Sequence, residues 1–135
     1  MASEDLGAPG RRGACGLVSV VDDDTSVLRS LRNLLDSAGL RVETFGSAEA
    51  FLASGRLAET ACLLLDLRMP GMSGQDLFSR IAGDEGRVPV VILTAETSDD
   101  ERERCLANGA LAFLTKPFRA ADILAAVRRA LRMNP

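Results

Sequence analysis

Polar residues with chemically useful side chains stand where apolar runs of the sequence end. Asp22 to Asp24 follow one such run, Asp66 ends another, and Thr94 and Lys116 end two more. Carboxylates that meet in a partly dry site repel one another unless a cation lies among them, and their oxygens favour a hard ion such as Mg²⁺ or Mn²⁺. An ammonium and a hydroxyl group can bind phosphoryl oxygens. The set therefore predicts a metal-assisted phosphoryl-transfer site.

Asp66 is the best candidate for the nucleophile of this site. It is central in the predicted sheet, a flexible loop beginning near Arg68 follows it, and no other nucleophilic side chain is in place. Each residue alone also has an ordinary explanation. A single Asp at a strand end often forms a turn. For Asp24 or Thr25, capping of the next helix is as good an explanation as a role in the site.

Missing residue types exclude several functions. The chain has 135 residues, a formal net charge of −3 and no His, Trp or Tyr. Without His it cannot form a Ser-His-Asp triad, a His-ligated zinc site or a phosphohistidine of its own. Of its sixteen basic residues, Lys116 is the only lysine.

Cysteine usage and charge indicate the setting in which the chain works. Cys15, Cys62 and Cys105 are odd in number and have no CxxC spacing, which predicts neither a disulfide framework nor a metal knuckle and fits a reducing cytoplasm. The sequence contains no secretory signal and no membrane span. Its mild acidity argues against direct nucleic-acid binding by this domain.

Short apolar runs alternate with helical patterns from Leu17 onward, and this alternation predicts the fold. Five strands are predicted at 17–21, 41–45, 62–66, 88–94 and 112–115. Helices are predicted from Val27 to Ala38, after Ser47, over 74–82, over 98–108 and through the last residues up to Arg132. The pattern predicts an α/β fold with a doubly wound five-stranded parallel sheet, (βα)5, in a three-layer sandwich.

In such folds the ligand lies beyond the carboxyl ends of the strands, where the chemically useful residues are. The second strand, which ends at Phe45, is expected to contribute none of them. Residues 1–16 are predicted to be a disordered leader, and residues 17–133 are predicted to form the domain.

Four segments of the chain resemble the receiver domains of two-component response regulators, of which the chemotaxis protein CheY is the single-domain example. The segments are VVDDD (20–24), LLDLRMPGMSG (64–74), VILTA (91–95) and GALAFLTKPF (109–118). They occur in the family's order, and the resemblance covers residues 17 to about 132. It is greatest to the FixJ-like branch, whose members usually carry a LuxR-type helix-turn-helix domain afterwards.

The resemblance implies a phosphoacceptor and a metal site. Asp66 would accept a phosphoryl group from the phosphohistidine of a sensor histidine kinase. Asp23, Asp66 and the backbone carbonyl of Arg68 would bind Mg²⁺ or Mn²⁺, with Asp22 acting through water. The chain would then be a signalling domain rather than an enzyme, with at most slow self-catalysed phosphorylation and dephosphorylation.

The resemblance also implies a switch. Thr94 and Lys116 would each bind a phosphoryl oxygen, Phe113 would be the rotating aromatic residue, and Pro117 would follow a cis peptide bond. Core packing is the ordinary role of Phe113, and both roles are compatible. The surface formed by the fourth helix, fifth strand and fifth helix would form a weak phosphorylation-dependent homodimer.

Arg68 and Glu96 depart from the most familiar patterns of the family. We hypothesise that they pair across the site and slow dephosphorylation, because their charges are opposite and both flank the path of attacking water. Two alanine variants with an unchanged phosphoryl half-life would exclude this idea. The alternative is that both side chains are solvated and matter little.

Two other functions compete with the receiver. A Mg²⁺-dependent phosphatase of the haloacid dehalogenase type would use Asp22 and Asp24, but it leaves Asp66 without a role. A degenerate receiver that serves only as an interaction module is disfavoured because all the site positions are filled. The sequence identifies neither the kinase, the signal nor the output, and it is compatible with a stand-alone receiver or one cut from a longer regulator.

Overall fold

A computed structural model describes residues 16–82, 88–95 and 98–133. Within these ranges five strands alternate with five helices, and a 3₁₀ turn at Arg56–Glu59 precedes the third strand. The predicted leader lies outside the described residues, except for Gly16. The elements are β1 (Leu17–Val21), α1 (Thr25–Ser37), β2 (Arg41–Phe45), α2 (Ala48–Ser54), β3 (Thr60–Asp66), α3 (Gly74–Ala82), β4 (Val90–Thr94), α4 (Asp99–Ala107), β5 (Ala112–Thr115) and α5 (Ala120–Arg132).

The strands form one parallel sheet in the order β2-β1-β3-β4-β5. Parallel pairing brings their carboxyl ends to one edge, where Val21 pairs with Leu65 and Asp66 with Leu93. The predicted doubly wound α/β fold is confirmed.

Side chains of the central strands alternate between two apolar clusters, one on each face of the sheet. Leu64 and Val91 pack in the cluster that also holds residues of α1 and α5. Leu65 and Ile92 pack in the other cluster, with residues of α2, α3 and α4. The two helical layers on either side of the sheet make the predicted three-layer sandwich.

Helix termini follow the local sequence. Asp24, not Thr25, is the N-cap of α1, and its Oδ1 accepts hydrogen bonds from the backbone N–H groups of Ser26 and Val27 at 2.9 and 3.4 Å. Ser98 caps α4 by accepting a hydrogen bond from the Glu101 N–H at 3.1 Å. Gly39 follows α1 with a φ of 81°, a conformation that glycine adopts without strain.

Two strand boundaries differ from the prediction. β3 begins at Thr60, two residues before the apolar run, because Thr60 pairs with Leu17 of β1 and its hydroxyl is satisfied inside the core. β4 begins at Val90, two residues later than predicted. Pro89 has no N–H with which to continue the ladder, although its carbonyl accepts a hydrogen bond from Leu63.

Cys62 and Cys105 are buried free thiols, and Cys15 lies outside the described residues. Among the helices of the described ranges, none combines the length and apolar character needed to cross a bilayer.

Candidate functional site

Two buried carboxylates stand at the carboxyl ends of adjacent strands. Asp22 follows β1 and is fully buried, and Asp66, the last residue of β3, is only 4% exposed. Backbone donors orient both groups: the Asp24 N–H donates to Asp22 Oδ1 at 2.9 Å, and the Arg68 N–H donates to Asp66 Oδ1 at 3.1 Å. Each carboxylate therefore has one oxygen bound to the backbone and a second oxygen directed elsewhere.

Lys116 lies between these two carboxylates. Its Nζ is 2.9 Å from Asp22 Oδ2 and 3.5 Å from Asp66 Oδ2. The backbone N–H of Lys116 donates to the carbonyl of Thr94 at 2.7 Å, which ties the end of β5 to the end of β4. The structure thus brings together side chains that are 94 positions apart in the sequence.

Burial and charge perturb the titration of this cluster. Loss of solvent and, to a smaller extent, the charge of Asp22 raise the pKa of Asp66 to about 6, although the Arg68 N–H and Lys116 act to lower it. Burial by itself would lower the pKa of Lys116, but its hydrogen bond to Asp22 and the charges of both carboxylates raise it overall. Lys116 is consequently a cation at neutral pH, and Asp66 is costly to ionise without a further positive charge.

The donor atoms meet the requirements of a small hard cation. One carboxylate oxygen from each of Asp22, Asp23 and Asp66 lies within 4.8 Å of the others, and Asp23 is the exposed member of the three. All three ligand atoms are oxygens, the donors that Mg²⁺ and Mn²⁺ prefer. Three carboxylates against one ammonium leave an excess negative charge, so the residues fit a divalent cation.

Thr94, Phe113 and Pro117 lie around the same edge. Thr94 is fully buried at the end of β4, and Phe113 is 6% exposed within β5, in the cluster beneath α2, α3 and α4. Ile92 pairs with Phe113 and Thr94 with Thr115, so both switch candidates belong to one strand pair. The Lys116–Pro117 peptide bond is cis, as the resemblance implies.

Arg68 has a partner that the sequence did not indicate. Its guanidinium Nη2 donates to Glu101 Oε1 in α4 at 2.8 Å. The Arg68 side chain is 57% exposed, whereas that of Glu101 is 17% exposed. Glu96 lies outside the described residues, and its pairing with Arg68 stays a prediction.

The backbone at the end of β2 and the helix that follows it support the site, while the carboxylate cluster and its ammonium come from other elements, as expected. The Phe45 carbonyl accepts a hydrogen bond from the Asp22 N–H at 3.1 Å. Glu49 of α2 accepts a hydrogen bond from the backbone N–H of Met72, in the loop that follows Asp66. In the sequence Glu49 has only the pattern of an acidic residue in the first turn of a helix, so no signal linked it to that loop.

Gly74 is required by a close approach that sequence patterns do not show. A Cβ atom at this position would lie 1.9 Å from the backbone carbonyl oxygen of Asp66. The Gly74 N–H donates to the Leu67 carbonyl at 3.0 Å, so the loop closes tightly onto the end of β3.

The phosphatase alternative is not supported. It required Asp24 as a catalytic partner of Asp22, but the Asp24 side chain caps α1. Asp66, which that alternative left without a role, lies within the carboxylate cluster.

Curated relatives of the chain are regulators. The response regulator protein TmoT of Ectopseudomonas mendocina is 42% identical over 120 residues, which cover 88% of this chain and 54% of TmoT. The transcriptional regulatory protein FixJ of Azorhizobium caulinodans is 40% identical over 114 residues, which cover 84% of this chain and 54% of FixJ. The chain therefore spans about half the length of these curated relatives.

Solved structures and family membership agree with these relatives. The response regulator StyR has a TM-score of 0.80 and 44% sequence identity over 90% of this chain and 61% of the StyR chain. Residues 18–128 match the family described as the response regulator receiver domain. With its parallel (βα)5 sheet and its carboxylate edge, the chain belongs to the response regulator receiver domain family.

Proposed function

We propose that this receiver domain is a phosphoacceptor in a two-component signalling system, with Asp66 as the residue that a sensor histidine kinase phosphorylates. The observation that carries the proposal is the meeting of Asp22, Asp23 and Asp66 with the Lys116 ammonium at one sheet edge. A carboxylate nucleophile, oxygen ligands for a cation and a fixed positive charge are the parts that phosphoryl transfer needs.

In the proposed reaction an Asp66 oxygen forms a bond to phosphorus. The bond between phosphorus and the histidine nitrogen of the kinase breaks, and its electron pair leaves with the imidazole. Mg²⁺, or Mn²⁺, bound by Asp23, Asp66 and the Arg68 carbonyl, with Asp22 acting through water, would offset charge on the phosphoryl oxygens. Thr94 would donate a hydrogen bond to one phosphoryl oxygen, and Lys116 would pair with another.

The signal would pass from Thr94 to Phe113. Both side chains are buried in neighbouring strands, so a new hydrogen bond at Thr94 would change the packing next to Phe113. The surface of α4, β5 and α5 would then rearrange and form a weak homodimer or contact an effector domain. Sedimentation that shows the same monomer with and without beryllofluoride would exclude the dimer.

The setting proposed for the whole protein follows from its relatives. TmoT and FixJ are described as regulators, and the chain matches only about half of each, which supports a separate output domain controlling transcription. For this domain we propose a cytoplasmic location, no direct contact with nucleic acid and no membrane contact. Receiver domains are in general not enzymes, and we propose only slow self-catalysed phosphorylation and dephosphorylation.

The test is phosphorylation by phosphoramidate with Mg²⁺, followed by intact-protein mass spectrometry. We expect wild type to gain one phosphoryl group and Asp66→Asn to gain none. Asp24→Asn is the matched control, because asparagine also caps helices and the substitution removes the same charge outside the proposed site. Labelling that survives in Asp66→Asn, or that is lost in Asp24→Asn, would disprove the assignment.

A further inference from the structure

A carboxylate outside the proposed ligand set holds the loop that follows Asp66. Glu49 lies in the first turn of α2, and its Oε2 accepts a hydrogen bond from the Met72 N–H at 2.8 Å. The two residues are 23 positions apart, so the contact joins α2 to the β3–α3 loop, residues 67–73. That hydrogen bond lowers the pKa of the Glu49 carboxyl, which therefore carries its charge at neutral pH.

Gly71 lets the loop come this close to Glu49. Its φ of 76° is in the left-handed region, and a Cβ atom there would lie 2.7 Å from Glu49 Oε2. Any larger residue would strain the backbone and displace the carboxylate. The loop and the carboxylate are thus fitted to each other.

The β3–α3 loop carries the parts of the proposed metal site that follow Asp66. Its first residues are bound at the sheet edge, because the Arg68 N–H donates to Asp66 and the Gly74 N–H donates to Leu67. Between these closures the loop turns through Pro70 and Gly71, and Met72 is the residue that Glu49 holds. A shift at Met72 would be transmitted to the carbonyl of Arg68, four residues earlier.

We propose that Glu49 is a positioning residue for this site, which holds the β3–α3 loop in the geometry that binds the divalent cation. The inference rests on the proposed function, in which Asp66 and the Arg68 carbonyl belong to the metal site. Glu49 itself touches neither the metal nor the phosphoryl group. It acts through Met72, as hydrogen-bonded groups behind metal ligands do in other sites.

The experiment measures Mg²⁺ affinity by calorimetry in wild type, Glu49→Ala and Glu49→Gln. We expect Glu49→Ala to weaken Mg²⁺ binding about tenfold, the low end for groups that act behind metal ligands. Glu49→Gln keeps an oxygen acceptor for the Met72 N–H, so its affinity should stay within about twofold of wild type. Glu103→Ala, which removes an exposed carboxylate from α4, is the matched control and should leave the affinity unchanged.

Amide hydrogen exchange tests the hydrogen bond between Glu49 and the Met72 N–H in the absence of metal. In Glu49→Ala the amide hydrogen of Met72 should exchange faster with solvent, while urea unfolding shows the variant to be folded. Gly71→Ala should weaken Mg²⁺ binding in wild type, and its additional effect should be smaller in Glu49→Ala, where the obstructing carboxylate is absent.

The inference would be overturned if Glu49→Ala bound Mg²⁺ as tightly as wild type does, or if Glu49→Ala and Glu49→Gln weakened Mg²⁺ binding equally. It would also be overturned if the effects of Glu49→Ala and Gly71→Ala on Mg²⁺ affinity were fully additive, or if wild type bound no Mg²⁺. A wild type that binds Mg²⁺ but takes up no phosphoryl group from phosphoramidate would disprove the proposed function instead. The role of Glu49 in the metal site would then still be supported by the calorimetric comparison.

Discussion

The sheet buries polar side chains toward both ends, and the two ends satisfy them differently. Toward the amino-terminal end, the hydroxyl oxygens of Ser19 and Thr60 lie 2.8 Å apart, and Thr60 donates its hydrogen to the Arg56 carbonyl. Ser19 must therefore supply the hydrogen of the shared bond. At the carboxyl-terminal end, Asp22 and Asp66 share the ammonium of Lys116.

The amino-terminal end needs no ligand to be stable, whereas the carboxyl-terminal end holds charged groups that a bound cation would stabilise. Neutral hydroxyl groups that bind one another cost little to bury and need nothing further. Two buried carboxylates with one ammonium keep an uncompensated negative charge, which lowers the free energy of unfolding unless a cation binds. Three substitutions test this contrast, and their expected effects decrease from Lys116→Met through Asp66→Asn to Thr60→Val.

Lys116→Met should have the largest effect, a loss of about 3 kcal/mol in the free energy of unfolding at pH 7 without Mg²⁺. The substitution leaves two buried carboxylates without their cation. Because the pKa of Lys116 is raised, its contribution is complete at pH 7 and is lost only as pH rises through that pKa. Urea denaturation measures the change.

Arg128→Met is the control for Lys116→Met, since it removes an exposed cation from α5 and should change the free energy of unfolding by less than about 0.5 kcal/mol. Equal losses in the two variants would contradict a special role for charge at the carboxyl-terminal end.

Asp66→Asn should have the opposite sign and raise the free energy of unfolding by about 2 kcal/mol at pH 7 without Mg²⁺. The pKa of Asp66 is raised to about 6, so the folded state binds a proton more readily than the unfolded state does. Ionisation of Asp66 above that pH therefore destabilises the fold. The gain in the variant should shrink as pH falls toward 4, where wild-type Asp66 is protonated in the folded protein.

Urea denaturation over a series of pH values measures the effect of Asp66→Asn. Asp36→Asn, an exposed position in α1, should show no comparable pH-dependent gain. A variant that is less stable than wild type at pH 7 would refute the view that the carboxylate end is strained by charge.

Thr60→Val should have the smallest effect, a loss of about 1 kcal/mol that depends on neither pH nor Mg²⁺. Valine keeps the shape of threonine but leaves the Ser19 hydroxyl and the Arg56 carbonyl without their partner. Adding Ser19→Ala should then cost less than it does in wild type, because the unsatisfied hydroxyl is removed. A loss that changes with Mg²⁺ would show that the two ends are not independent.

Much of the fold and of the site followed from local patterns. β1, β2, β5 and α3 have the predicted bounds. The boundary at Thr60 was not predictable, because the Ser19 hydroxyl that satisfies this polar residue lies 41 positions away.

Sequence distance does not explain which contacts could be predicted. The contact of Lys116 with Asp22 spans 94 positions, yet a general rule brings both residues to one edge of a parallel sheet. The contacts of Glu49 with Met72 and of Arg68 with Glu101 span 23 and 33 positions and were missed. Both contacts involve the β3–α3 loop, and the periodicity of a sequence does not indicate the path of a loop.

The amino-acid sequence was enough to place Asp22, Asp66, Thr94 and Lys116 at one edge, because each ends or follows an apolar run and parallel strands bring their carboxyl ends together. The folded structure was needed to show which atoms bond to one another. Lys116 lies closer to Asp22 than to Asp66, and Arg68 pairs with Glu101. Such choices depend on differences below one ångström and on loop paths, which the packing of the whole domain sets.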